Sequence, residues 1–85
     1  MYEIYTANSK AEKLLARYVK GRQDIVGKLH KLKQSPRTEI GAHPLHGRLA
    51  GKWSCWLGSS IRMVYSIDDS NRRIVVEAVG THNVY

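Results

Sequence analysis

The chain is 85 residues long and carries 14 Lys and Arg against seven Asp and Glu, a net charge of +7. So short a chain builds one small domain with a thin core, which excludes a deep internal substrate cavity and leaves an open groove or a surface for any site. Its single cysteine, Cys55, excludes an intramolecular disulfide, and no apolar run approaches membrane-spanning length.

Residues 2–6 (Tyr-Glu-Ile-Tyr-Thr) alternate apolar with polar and are rich in strand formers. They predict a strand rather than an apolar leader, and with the lone cysteine they make the cytoplasm the expected setting. Ser9-Lys-Ala-Glu12 then reads as a capping box, with Ser9 as N-cap. Ala11, Leu14, Leu15, Tyr18 and Val19 follow at helical spacing, and Gly21 interrupts. A second helix is predicted over 23–34, with Ile25, Val26, Leu29 and Leu32 on one face. Ser35-Pro36 ends it, because a residue before proline avoids helical angles. From Lys10 to Arg37 nine basic residues face only Glu12 and Asp24, so this stretch alone accounts for the net charge. The bases fall mostly opposite the apolar stripes. Such a surface suits nucleic acid or an acidic protein, and it equally suits a solvated lysine-rich helix face.

Residues 38–52 carry Gly41, Pro44, Gly47 and Gly51 and read as a long connection. Three strands are predicted after it, over 53–57, 61–67 and 73–79, with turns at 58–60 and 68–71. Alternation puts Ile61, Met63, Tyr65 and Ile67 on one face of the middle strand and Arg62, Val64 and Ser66 on the other. A two-helix hairpin needs an apolar sheet face to cover, so the first set is the expected core face and Arg62 projects from the other. Trp53 and Trp56, three apart, face opposite ways; one belongs to the core, and the sequence does not say which. The order β-α-α-β-β-β predicts an α+β fold: a two-helix hairpin on a mostly antiparallel four-stranded sheet, in a single domain over 1–85.

Few side chains can carry chemistry. Arg62 offers a planar fork of donors for a phosphate or for transition-state charge, or is an ordinary solvent-face arginine. His82 is of the residue type that exchanges a proton near neutral pH. Tyr85 either pins the tail to the core or stacks on an unpaired base. His43-Pro-Leu-His46 has a two-ligand spacing, but the proline argues against a helix and no acid or cysteine lies nearby, so a metal site is not expected; His43 suits a proton acceptor. His30, His46 and Cys55 read as structural or incidental, since Cys55 has no basic sequence neighbour to lower its pKa. The sequence lacks a glycine-rich phosphate loop, a zinc spacing and a carboxylate pair, so any catalysis is acid–base work without a cofactor.

Four stretches together, His-Pro-Leu-His-Gly over 43–47, Gly-Lys-Trp-Ser over 51–54, Ile-Arg-Met-Val-Tyr over 61–65 and Gly-Thr-His over 80–82, resemble the RelE/ParE superfamily of toxins from type II toxin–antitoxin systems. The pattern P-L-x-G, G-x-W, R-x-V-Y and a late histidine with a nearby aromatic is most similar to the mRNA-cleaving branch, the YoeB, YafQ and RelE types. The resemblance spans essentially the whole chain and implies a RelE-like microbial RNase fold. It implies a toxin that enters the A site of the 70S ribosome and cleaves mRNA there without a metal. The ribose 2′-OH attacks the adjacent phosphate, leaving a 2′,3′-cyclic phosphate and a 5′-OH.

By the same resemblance, Arg62 stabilises charge on the scissile phosphate and His82 is a candidate general acid for the 5′-oxygen. His43, directly before Pro44-Leu45, is a candidate general base, and Tyr85 stands near the aromatic that orients the substrate base. Lys52, Trp56 and Arg48 are expected substrate contacts. The chain departs from the pattern where RelE carries strand lysines, over the residues that here read Trp53-Ser-Cys-Trp56. It departs again where YafQ-type members carry a histidine and an aspartate, near Trp56 and Ser60. The implied partners are mRNA, the ribosome and an acidic antitoxin, joined in a toxin–antitoxin hetero-oligomer with no membrane involved. Two alternatives stay open: a ParE-like toxin that binds gyrase, and a member of the fold that binds RNA or protein without chemistry.

Overall fold

In the computed structural model, which describes residues 1–39, 41–58 and 60–81, the chain opens with β1 (Glu3–Thr6) and turns at once into α1 (Ser9–Val19). The cap of α1 is Asn8, not Ser9. Asn8 has extended backbone angles, and its side-chain oxygen accepts the Ala11 N–H at 2.8 Å, while Ser9 is already the first helical residue. Asn and Ser cap about equally well, so only the backbone decides which stands half out of the helix. Gly21, at φ +71°, makes the sharp turn that a side-chain-bearing residue resists, and α2 (Gln23–Gln34) runs back from it. The predicted bounds of α2 hold. The Ser35 N–H still reaches the Lys31 carbonyl before Pro36 ends the helix.

Four more strands follow: β2 (His43–Pro44), β3 (Trp53–Trp56), β4 (Arg62–Asp68) and β5 (Arg73–Gly80), with a 3₁₀ turn (Gly47–Leu49) between β2 and β3. The sheet therefore has five strands rather than four, in the order β1-β5-β4-β3-β2. The extra strand lies inside the expected connection. At two residues it has no alternation to read, and its proline sits on the sheet edge, where a missing N–H is tolerated. Every neighbouring pair is antiparallel except β1 with β5, so the sheet is mixed. A register shift after Val64 places two β5 residues, Glu77 and Ala78, between the partners of Tyr65 and Met63. Such a bulge re-aims the extra side chain.

Both helices cover one face of the sheet. Ala11 of α1 and Ile25 and Leu32 of α2 pack with Cys55, Leu57, Ile61, Met63, Tyr65, Ile74, Val76 and Val79. The expected split of β4 is borne out: Ile61, Met63 and Tyr65 are buried in that core, and Ile67 packs against it. Trp53 also packs on the core, which settles the tryptophans and sends Trp56 to the far face. Val64 and Ser54 are buried as well, although alternation sets them on that second face.

Two polar ties hold the connections to this core. The buried Tyr65 hydroxyl donates to the Pro36 carbonyl at 2.7 Å, anchoring the segment that leaves α2. The Asp69 carboxylate accepts the Arg37 guanidinium at 2.7 and 3.1 Å and the Tyr2 hydroxyl at 2.6 Å, gathering β1, the α2–β2 connection and the β4–β5 turn. No helix among the described residues is long and apolar enough to cross a membrane.

Candidate active site

The sheet register arranges three of the expected site residues, Trp56, Arg62 and His43, in two adjacent rows on the face away from the helices. In one row Trp56 of β3 lies across from Arg62 of β4, and Arg62 across from Gly80 of β5. In the next row His43 of β2 lies across from Ser54, Ser54 from Val64, and Val64 from Ala78. His43 and Arg62 thus stand two strands and one row apart. With strands about 4.8 Å apart and a rise of about 3.4 Å per residue, their Cα atoms are about 12 Å apart, a gap that two long side chains can close around one phosphodiester.

Arg62 is half-buried, and its guanidinium carbon lies 4.3 Å from the centre of the Trp56 ring. That is a cation–π stack, which attracts the cation to the ring and fixes the plane of its fork. His43 is exposed at the sheet edge, and its Nδ1 lies 3.4 Å from the Gly41 carbonyl. An Nδ1–H tautomer donates to that carbonyl and leaves the Nε2 lone pair free to take a proton. Gly41 adopts φ +86°, a backbone angle that side chains resist, and a Cβ there would lie 3.7 Å from Trp56 Cδ1. One glycine therefore meets the histidine through its carbonyl and lies close to the tryptophan.

The other expected residues stand elsewhere. Lys52 is held by Glu77: its Nζ lies 2.7 Å from each carboxylate oxygen, and both side chains are about a third exposed. It is a paired ammonium here rather than a bare phosphate contact, and the β5 bulge supplies its partner. Arg48 is exposed on the 3₁₀ turn between β2 and β3. His82 and Tyr85 lie outside the described residues. β5 ends at Gly80, opposite Arg62, so the chain leaves the sheet beside that arginine.

Three features escaped the sequence reading. Cys55 does have a basic neighbour, because α2 brings Lys28 to it from far along the chain; burial nonetheless dominates and pushes the thiol up, with Lys28 acting in the opposite sense. The thiol is 1% exposed, which keeps it an inert core group. The Ser54 hydroxyl, directly across from His43, is buried without a hydrogen-bond partner among the described residues. The Arg62–Trp56 stack itself depends on the β3–β4 register, which no spacing in the sequence reports. A groove of about 670 Å³ runs between α1, α2 and β1, but it lies at the opposite end of the strand order from β3 and β2 and shares no residue with this site.

The fold has close counterparts among solved structures. The isolated RelE toxin of E. coli superposes with a TM-score of 0.74 at 25% identity, over 98% of this chain and 86% of RelE. The chain has the fold of the RelE/ParE toxins. A second RelE/ParE superfamily structure, the YoeB/ParE toxin from Agrobacterium tumefaciens, gives 0.73 at 24% identity over 94% of this chain and 98% of that one. The YoeB–YefM toxin–antitoxin complex of Staphylococcus aureus gives 0.74 at 22% identity, over 96% and 98%. No protein-family model and no curated protein matches the sequence. The RelE/ParE likeness spans nearly the whole chain, and both rows of site residues lie on strands of that sheet.

Proposed function

We propose that this protein is the toxin of a type II toxin–antitoxin pair and an endoribonuclease that cleaves mRNA in the ribosomal A site. The observation that carries this reading is the placement of Arg62, stacked on Trp56 and two strands from His43 on the sheet face that the helices leave uncovered. A guanidinium and an imidazole on either side of a phosphodiester are suited to phosphoryl transfer from a ribose.

In the proposed reaction His43 takes the proton from a ribose 2′-OH through Nε2. The oxygen attacks the adjacent phosphorus, and Arg62 stabilises the charge that builds on the equatorial oxygens. His82 gives a proton to the departing 5′-oxygen, and Tyr85 orients the base; both roles come from the family resemblance. The products are a 2′,3′-cyclic phosphate and a 5′-OH. Arg48 and Lys52 serve the RNA backbone, Lys52 on release from Glu77. The basic outer faces of the helices suit ribosomal RNA and an acidic antitoxin, with which the protein forms a hetero-oligomer in the cytoplasm.

One observation favours a second reading. The far face of β3 offers a buried serine and an indole, neither of a residue type that titrates near neutral pH, as suits a member of the fold that binds without cleaving. Induction in a bacterial cell followed by mapping of mRNA 5′ ends separates the two. Nuclease action predicts new 5′-OH ends in phase with codons, with Arg62→Ala reducing them about 100-fold or more and His82→Ala abolishing them. Growth arrest with intact mRNA would instead point to a binding-only or gyrase-directed toxin.

A further inference from the structure

We propose that Trp56 is a positioning residue for Arg62: it sets the plane of the guanidinium before substrate arrives and acts on the reaction through that arginine. This rests on the nuclease reading above. Trp56 and Arg62 are direct cross-strand partners, and the 4.3 Å separation is well inside cation–π range. The indole lies near Gly41, where an added Cβ would meet Cδ1 at 3.7 Å, an ordinary contact distance. Yet the ring is 40% exposed, one of few large apolar side chains so placed. Core packing does not account for a bulky ring kept at the surface, whereas a platform for a surface cation does.

A ring also holds a guanidinium differently from a carboxylate. Asp24 engages two N–H donors of Arg22, and Asp69 two of Arg37, and both carboxylates cancel charge. A ring face consumes no in-plane donor and leaves the positive charge intact. Holding the guanidinium plane against a ring lowers the entropy lost when phosphate oxygens bind.

The test joins a contact measurement with a mutant cycle. In the free protein, the Arg62 Nε–H proton resonance should be shifted upfield by the indole ring current and return to an ordinary position in Trp56→Leu. In single-turnover cleavage on programmed ribosomes, Trp56→Leu should slow the chemical step about tenfold, equivalent to about 1.4 kcal/mol, without weakening ribosome binding. Trp56→Phe, which keeps a ring, should recover most of that loss. In an Arg62→Ala background, Trp56→Leu should cost nothing further, because the group it positions is gone.

Equal losses with and without Arg62 would overturn the proposal, since Trp56 would then be touching the RNA itself. An Arg62 resonance indifferent to the indole would also overturn it, even with cleavage intact. Absence of cleavage by the wild-type protein would defeat the nuclease reading and any part for the stack in it. The ring-current shift would still be visible, so the two failures are told apart.

Discussion

Tyr65→Phe isolates the buried tie between the sheet and the segment that carries the candidate base. The substitution keeps the ring among the core side chains and deletes only the hydroxyl, leaving the Pro36 carbonyl without its donor. A buried polar group stripped of its partner costs about 1–3 kcal/mol, and with no cavity larger than one oxygen the loss should sit near about 1.5 kcal/mol. For a domain of this size about 1 kcal/mol moves Tm by roughly 4–8 °C, so Tm should fall by about 6–12 °C. Calorimetry gives the shift directly, and urea unfolding with an unchanged m-value would confirm that only stability moved.

The pH dependence supplies a second signature. Burial pushes the Tyr65 phenol well above its ordinary range, while the unfolded phenol ionises near about 10. The wild-type advantage over Phe is therefore whole below about pH 10 and shrinks as pH rises above it, because only the unfolded state then releases the proton. A Tm change under about 2 °C would refute the argument, since it would mean that the hydrogen bond contributes nothing that water cannot replace.

Two further outcomes concern stability. Asp69 is held at about 2, first by Arg37 and then by the Tyr2 hydroxyl, so its contribution is whole above the ordinary carboxylate range and disappears as pH falls toward that value. Asp69→Asn should flatten this part of the acid-unfolding curve followed by circular dichroism, and an unchanged acid limb would count against the clamp. At the start of α1, Asn8→Ala should cost about 1 kcal/mol in chemical denaturation, Asn8→Ser should restore most of it, and Ser9→Ala should change little. Equal losses at positions 8 and 9 would mean that the cap is misassigned.

The sequence made the framework readable because its elements are long enough to show a period. The α2 stripe of Ile25, Leu29 and Leu32 and the alternation of Ile61, Met63 and Tyr65 each repeat, and each points to the same core. The two-residue β2 shows no period, so one strand of the sheet was invisible. Arg62, His43 and Trp56 could be nominated as chemical types, but their neighbours depend on register. Nothing local says that Trp56 pairs with Arg62, that the Gly41 carbonyl meets His43, or that Glu77 takes Lys52. The misplaced cap at Ser9 and the missed Lys28 beside Cys55 have the same origin, a choice made by the backbone or by a distant segment.

The parallel pairing of β1 with β5 brings Glu3 beside Arg73, and strand β5 is also the one that flanks Arg62. A contact spanning that much chain is late and slow to form, because loop closure must precede it. During synthesis β1 waits unpaired, and β4 lacks one of its two neighbours, until residue 80 has cleared the ribosome. The face that carries Arg62 is thus completed only when β5 has paired with β4 on one side and β1 on the other.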